Sequence, residues 1–176
     1  MPRRIRKLAP ADLKDAALDY LARYAASTAR LRQVMTRRIK RSAKANELDP
    51  EPLLLELERI IAMLIRTGLL NDASFAEGRV RSLNRRGGSR RQIAAKLSAA
   101  GVPQATTAHA LASLEDELPD AEFAAAIAYA KRRRLGAYRT PLDETPERRR
   151  KDLMAMARAG FALDLARRAL AGEEGH

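Results

Sequence analysis

Leu53, Leu57, Ile60, Ile61, Leu64 and Ile65 recur every three to four residues, and no stretch of the chain alternates apolar and polar side chains with period two. A helix turns once in about 3.6 residues and so shows such a stripe, whereas a half-buried strand needs alternation. Asp49-Pro50 opens this segment, with proline in the first turn where its missing N–H does no harm, and Gly68 ends it. Pro52 shares that first turn and restricts Glu51 before it. The same spacing, bounded by capping residues and glycines, returns along the whole chain. Helices are the element this sequence can build.

Asp12, with Asp15 three residues on, opens a segment whose Leu13, Ala17, Tyr20, Leu21 and Tyr24 share one face. Ser27 or Thr28 caps the next, which carries Leu31, Val34, Met35 and Ile39. After Gly68 the plan repeats. Asn71-Asp72 caps a helix bearing Phe75, Ala76, Val80 and Leu83, stopped by Gly87-Gly88. Ser89-Arg-Arg-Gln92 has the form of a capping box and precedes Ile93, Leu97 and Ala100, with Gly101 as terminator. Pro103 begins a helix that turns Ala108, Leu111, Ala112 and Leu114 inward. A third round follows. Asp120 caps a helix with Phe123, Ile127 and Ala130 that ends at Leu135-Gly136, Thr145-Pro146 caps one with Leu153, Met156 and Ala157 stopped at Gly160, and Ala162 onward holds Leu163, Ala166 and Leu170. Aligning Gly101 with Gly160 pairs Leu97 with Met156, Val102 with Phe161, Leu111 with Leu170 and Arg90-Arg91 with Arg149-Arg150, but sets Ile93 opposite Asp152. The expected fold is all-α, an elongated, curved array of three tandem three-helix units. The units span 12–70, 71–118 and 119–172, behind a basic N-terminal tail at 1–11.

Charge follows the same repeat. Residues 1–46 hold 13 Lys/Arg against 3 Asp/Glu, residues 47–78 hold 2 against 7, and residues 79–101 hold 7 against none. Residues 102–127 reverse to none against 5, and 128–158 return to 10 against 4, within a formal net charge of +12. One basic run is usually a solvated helix face. Recurrence at equivalent places points instead to a long polyanion or an acidic partner. Arg far exceeds Lys, which suits forked contacts to phosphate or carboxylate. With 3 Phe, 4 Tyr and no Trp, stacking residues are too few for base contacts, so backbones or protein carboxylates are the expected partners.

Several chemistries are excluded or poorly supported. No cysteine is present, which removes disulfides, thiolate chemistry and Cys-based zinc. His109 and His176 are too few and too far apart for a histidine metal site, and no cofactor is expected. The basic start leads into Leu8-Ala-Pro-Ala-Asp12 rather than an apolar core, and no stretch approaches the ~20 apolar residues a bilayer needs, so a soluble cytoplasmic protein is expected. Glu115-Asp116-Glu117 and Asp143-Glu144 are adjacent acids. Neighbours on a helix diverge, so capping and solubility suit them better than catalysis. Arg85-Arg86-Gly87-Gly88-Ser89 before a helix start could bind an anion, but it lacks Walker spacing and reads more plainly as a turn.

Gly68-Leu-Leu-Asn-Asp-Ala-Ser-Phe-Ala-Glu-Gly-Arg-Val-Arg-Ser82, continuing through Arg85-Arg86-Gly87-Gly88-Ser89 and a basic helix to Gly101-Val102, resembles the central signature of the RecX family, bacterial regulators of the RecA recombinase. Arg30-Leu31-Arg32 to Arg38 resembles the family's first unit, and Tyr129 to Gly136 with Arg158 to Phe161 its third. Asn71 replaces an Asp of the signature, the glycine spacing differs at Gly87-Gly88-Ser89, and Ala100 stands where Lys is common. The resemblance implies a non-enzymatic, monomeric protein that binds the RecA–single-stranded-DNA filament. Such a protein restrains ATP hydrolysis, strand exchange and filament extension, and so recombinational repair and the SOS response. Single- and double-stranded DNA would bind weakly and without sequence preference. Charge banding and the central motif together nominate Arg30, Arg32, Arg37, Arg38, Arg81, Arg85, Arg86, Arg90, Arg91, Arg132, Arg133, Arg134, Arg149 and Arg150 as the binding face. The alternative is a sequence-nonspecific DNA-binding protein without filament preference.

Overall fold

Pro10 begins the first helix, and its fixed φ suits that place. The computed structural model describes residues 7–141 and 145–172; most of the tail at 1–11, the acids Asp143 and Glu144, and His176 lie outside them. Among the described residues there are nine α-helices, one 3-10 turn and no strand. They are α1 (Pro10–Arg23), α2 (Thr28–Ala45), α3 (Glu51–Arg66), α4 (Asp72–Arg85), α5 (Arg90–Ala99), α6 (Gln104–Glu117), α7 (Ala121–Arg133), the turn Gly136–Tyr138, α8 (Pro146–Arg158) and α9 (Leu163–Ala171). The all-helical expectation holds. The opening at Asp12 moves to Pro10, because Asp12 caps from within the first turn, its carboxylate accepting the Ala9 amide at 3.1 Å. Of the two cap candidates for α2 it is Ser27 that accepts the Arg30 amide, at 3.1 Å.

Backbone proximity groups the chain into two compact units. One holds the described residues through Phe75 together with Ala100–Val102; the other holds Ala76–Ala99 and the chain from Pro103 onward. The first is built on α1, α2 and α3, whose Leu13, Leu31, Met35, Ile39, Leu57, Ile61 and Leu64 are all but completely buried. Each such side chain contributes about 1.5–3 kcal/mol relative to exposure. Asp72, at the start of α4, joins this unit by accepting the Thr28 amide at 2.7 Å.

The second unit relies on small residues. Ala125, Ala126, Ala130, Ala166 and Ala169 are buried on α7 and α9, so these helices approach closely around Phe123, Met156 and an edge-on pair of Tyr129 and Phe161 with centroids 5.6 Å apart. Val80, Ile93 and Leu97 from α4 and α5 are buried as expected.

Some inward assignments shift. Tyr24, Ile65 and Leu163 are exposed, at 58%, 50% and 46%. On α6 the stripe is Thr107, Ala110, Leu111 and Leu114, not Ala108 and Ala112, and after α8 it is Ala159, not Ala157, that is buried. Alanine reads the same on either face, so one-residue phase errors pass unnoticed in alanine-rich helices.

One joint recurs in both units. Ser27 accepts the Arg30 amide and donates to the Ala100 carbonyl, while Ser89 accepts the Gln92 amide at 3.2 Å and donates to the Ala159 carbonyl at 2.5 Å. Each carbonyl precedes a glycine at positive φ, Gly101 or Gly160. A Cβ on Gly101 would collide with Ala29, and one on Gly160 would lie 2.8 Å from the Ser89 hydroxyl and 3.0 Å from the Arg91 Cβ. The aligned glycines therefore mark where the start of α2 meets the turn after α5, and the start of α5 meets the turn after α8. Both serines are fully buried. Ser89→Ala removes a cap and leaves a buried carbonyl unpaired, so it is expected to cost about 2–3 kcal/mol, read from the urea midpoint.

Candidate functional site

The turn between α4 and α5 organises the largest cluster of nominated arginines. Gly87 takes φ +77°, its amide bonds the Asn84 carbonyl at 2.7 Å, and the Gly88 amide bonds the Leu83 carbonyl at 2.9 Å. This closes α4 and starts α5 within a few residues, so Arg85, Arg86, Arg90 and Arg91 surround one turn, all exposed. Gly87 lies directly against the backbone of Tyr129, which brings the end of α7 beside it. Arg132 there donates to the Arg86 carbonyl. The guanidiniums of Arg132 and Arg133 lie 5.5 and 5.7 Å from the Tyr129 ring centroid. Such cation–π contacts are worth about 0.5–1 kcal/mol at exposed sites and hold long side chains in place.

The free-amide reading of this turn is corrected by Glu122. Its carboxylate accepts the Arg90 amide at 2.9 and 3.2 Å, so the α5 start already carries its anion. Burial pushes the Glu122 carboxyl up, against the opposing pull of the Arg90 amide and charge. A turn, the plainer reading, is what the structure contains.

Not every nominated arginine is available. Arg81 forks onto Glu117 at 2.6 and 3.1 Å, Arg90 pairs with Glu115, and Arg32 forks onto Glu58 at 2.8 and 3.0 Å. The bond from Arg32 holds the Glu58 carboxyl below the usual range, and Arg81 does the same for Glu117. The stabilisation from the Arg32–Glu58 pair is therefore present above the ordinary glutamate range and is lost as pH falls through the lowered value. At such exposure it is worth no more than about 1 kcal/mol. Glu115 and Glu117 serve as counterions here.

Arg30 donates to Gln33 at 2.7 Å, and Arg37 and Arg38 stand exposed further along α2 in the first unit. Arg38 lines a groove with Asp12, Asp15 and Asp19, which dilutes that part of the basic band. Arg134 is the left-handed, exposed cap of α7. Arg149 and Arg150 sit on α8, where with Arg167 they line a cleft of about 590 Å³ bordered by the Gly136–Tyr138 turn and α9.

Sequence reasoning missed the support of that cleft. Asp152 is 5% exposed, accepts the Gly136 amide at 2.9 Å, and takes both bonds of the Arg139 Nη2 at 2.7 Å. The Arg139 Nε is buried without a hydrogen-bond partner. The signal was present as the misfit of Asp152 opposite Ile93: an acid at an inward position needs a buried partner. His109 is exposed, and no group of three His, Asp or Glu side chains among the described residues could hold a metal. No helix among them is long and apolar enough to cross a membrane.

Residues 71–111 match the family model for the RecX second three-helix domain. The chain is 40% identical over 169 residues to the regulatory protein RecX of Myxococcus xanthus, covering 96% of this chain and 89% of that protein. It is 31% identical over 135 residues to the regulatory protein RecX of Agrobacterium fabrum, covering 76% and 70%. A crystal structure of RecX from Lactobacillus salivarius superposes with a TM-score of 0.65 at 21% identity, covering 93% of this chain and 95% of that one. The chain belongs to the RecX family of regulatory proteins.

Proposed function

We propose that this chain is a non-enzymatic cytoplasmic regulator that binds the RecA–single-stranded-DNA filament as a monomer. It inhibits filament ATP hydrolysis, strand exchange and extension, and so tempers recombinational repair and the SOS response. Family membership supports the partner. The observation that carries the mechanism is the cluster at the α4–α5 turn, where Arg85, Arg86 and Arg91 are exposed beside Arg132 and Arg133. In this reading the units at 12–70, 71–118 and 119–172 each offer a basic face, and modest contacts combine through tethering. Guanidiniums meet filament carboxylates and DNA phosphates, with little base readout because aromatic side chains are scarce.

The test is RecA ATPase on single-stranded DNA with and without the protein. Inhibition at protein levels well below those needed to coat free DNA is expected. The competing reading, nonspecific DNA binding without filament preference, predicts inhibition only when free DNA is saturated. Affinity for DNA alone should fall steeply with salt, because each phosphate contact releases counterions.

A further inference from the structure

The cleft between α8, α9 and the Gly136–Tyr138 turn brings guanidiniums and apolar side chains together. Arg149, Arg150 and Arg167 line it with three guanidiniums, while Leu153 and Leu170, both half-buried, supply apolar wall. The acid among its lining residues, Asp152, is committed to Arg139 and to the Gly136 amide. That bonding fixes the turn at the cleft's edge, where Arg150 and Arg167 stand exposed. The cleft is an open groove of about 590 Å³, a shape that suits an extended segment lying along it rather than an enclosed small molecule. A nucleic-acid backbone offers phosphates but no aliphatic group to cover leucines. A peptide with alternating acidic and aliphatic side chains offers both, and carboxylates match the guanidinium fork.

We propose that this cleft is a docking site for a short acidic–aliphatic peptide segment of a protein partner. Carboxylates pair with Arg150 and Arg167 at the rim, and an aliphatic side chain sits against Leu153 and Leu170. The proposal rests on the reading of the chain as a regulator of a protein assembly. It adds a partner chemistry and a place separate from the α4–α5 turn.

The experiment is fluorescence anisotropy with a short labelled peptide of alternating glutamate and leucine, added to the full chain without RecA or DNA. Three comparisons accompany it: the peptide with glutamine for glutamate, a polyglutamate peptide, and unlabelled oligothymidylate as competitor. The expected result is at least tenfold tighter binding of the glutamate–leucine peptide than of either other peptide, and poor competition by the oligonucleotide. Arg150→Glu with Arg167→Glu should abolish that preference, whereas Arg85→Glu with Arg86→Glu should leave it intact; circular dichroism confirms that both fold. Equal binding of polyglutamate, effective competition by oligothymidylate, or equal loss in both variants would overturn the proposal. None of those results bears on RecA ATPase inhibition, so the two readings fail separately.

Discussion

Changing Arg85, Arg86 and Arg91 together to glutamate is expected to raise the concentration for half-inhibition of RecA ATPase on the order of 100-fold. Each charge-assisted contact is worth about 1.5 kcal/mol or more, close to tenfold, and tethered contacts share their losses, so the full product of three is not reached. Arg90 is left unchanged because it pairs with Glu115 and its amide is held by Glu122, so its reversal would disturb the fold as well as the surface. Reversing Arg59 and Arg66, exposed on α3 in an acidic stretch where Arg59 pairs with Glu56 at 3.2 Å, should change potency less than threefold, a difference of about 0.7 kcal/mol. Helicity by circular dichroism should be the same in both variants: Arg66 and Arg85 end α3 and α4 and Arg91 lies in the first turn of α5, but all are exposed, and a charge change against a helix terminus is worth about 0.3–1 kcal/mol. Wild-type potency in the triple variant would show that the α4–α5 turn is not the contact surface.

A large loss of stability is expected from Gly87→Ala. A Cβ there would lie 2.5 Å from the Tyr129 amide nitrogen, 2.8 Å from its Cα and 3.0 Å from the Ala125 carbonyl, all of them backbone atoms. Backbone cannot rotate away as a side-chain tip can, and φ of +77° adds its own strain for any L side chain. Overpacking and strain together predict a loss of about 3–4 kcal/mol, and detachment of α7 from the turn that orders Arg86 and Arg132. Gly78→Ala is the counterpart: that glycine is inside α4, exposed, with nothing near the position of its Cβ. Alanine there is expected to stabilise by about 0.5–1 kcal/mol through helix propensity and reduced chain entropy. Urea unfolding of the two variants gives opposite shifts; shifts of the same sign would refute the account of the turn.

Most of the helical layout was legible because caps, terminating glycines and apolar stripes are local signals, each worth enough free energy to decide its own few residues. Ser27, Ser89, Gly68, Gly87 and Gly101 all stand where the sequence placed a boundary. The arginine bands were legible for the same reason, since charge can be counted without a fold. The phase of α6 was not, because alanine costs almost nothing on either face and its burial is decided by neighbours.

The availability of each arginine was beyond sequence too. Arg81 and Arg90 belong to the same basic band as Arg85 and Arg91, yet the first two are engaged by Glu117 and Glu115, which lie 36 and 25 residues away along the chain. Whether a guanidinium is free for a partner depends on which carboxylate the packing of α6 brings within 3 Å or so, and no spacing rule encodes that. Asp152 makes the same point from inside: as a sequence position it broke the repeat, and only its burial beside Arg139 and the Gly136 amide explains an acid on an inward face. Helix identity, punctuation and gross charge were thus determined by the sequence itself, being sums of short-range terms. The pairing of charges, the α8–α9 cleft and the serine joints at Gly101 and Gly160 were decided by tertiary structure, because they exist only once packing brings segments distant in sequence side by side.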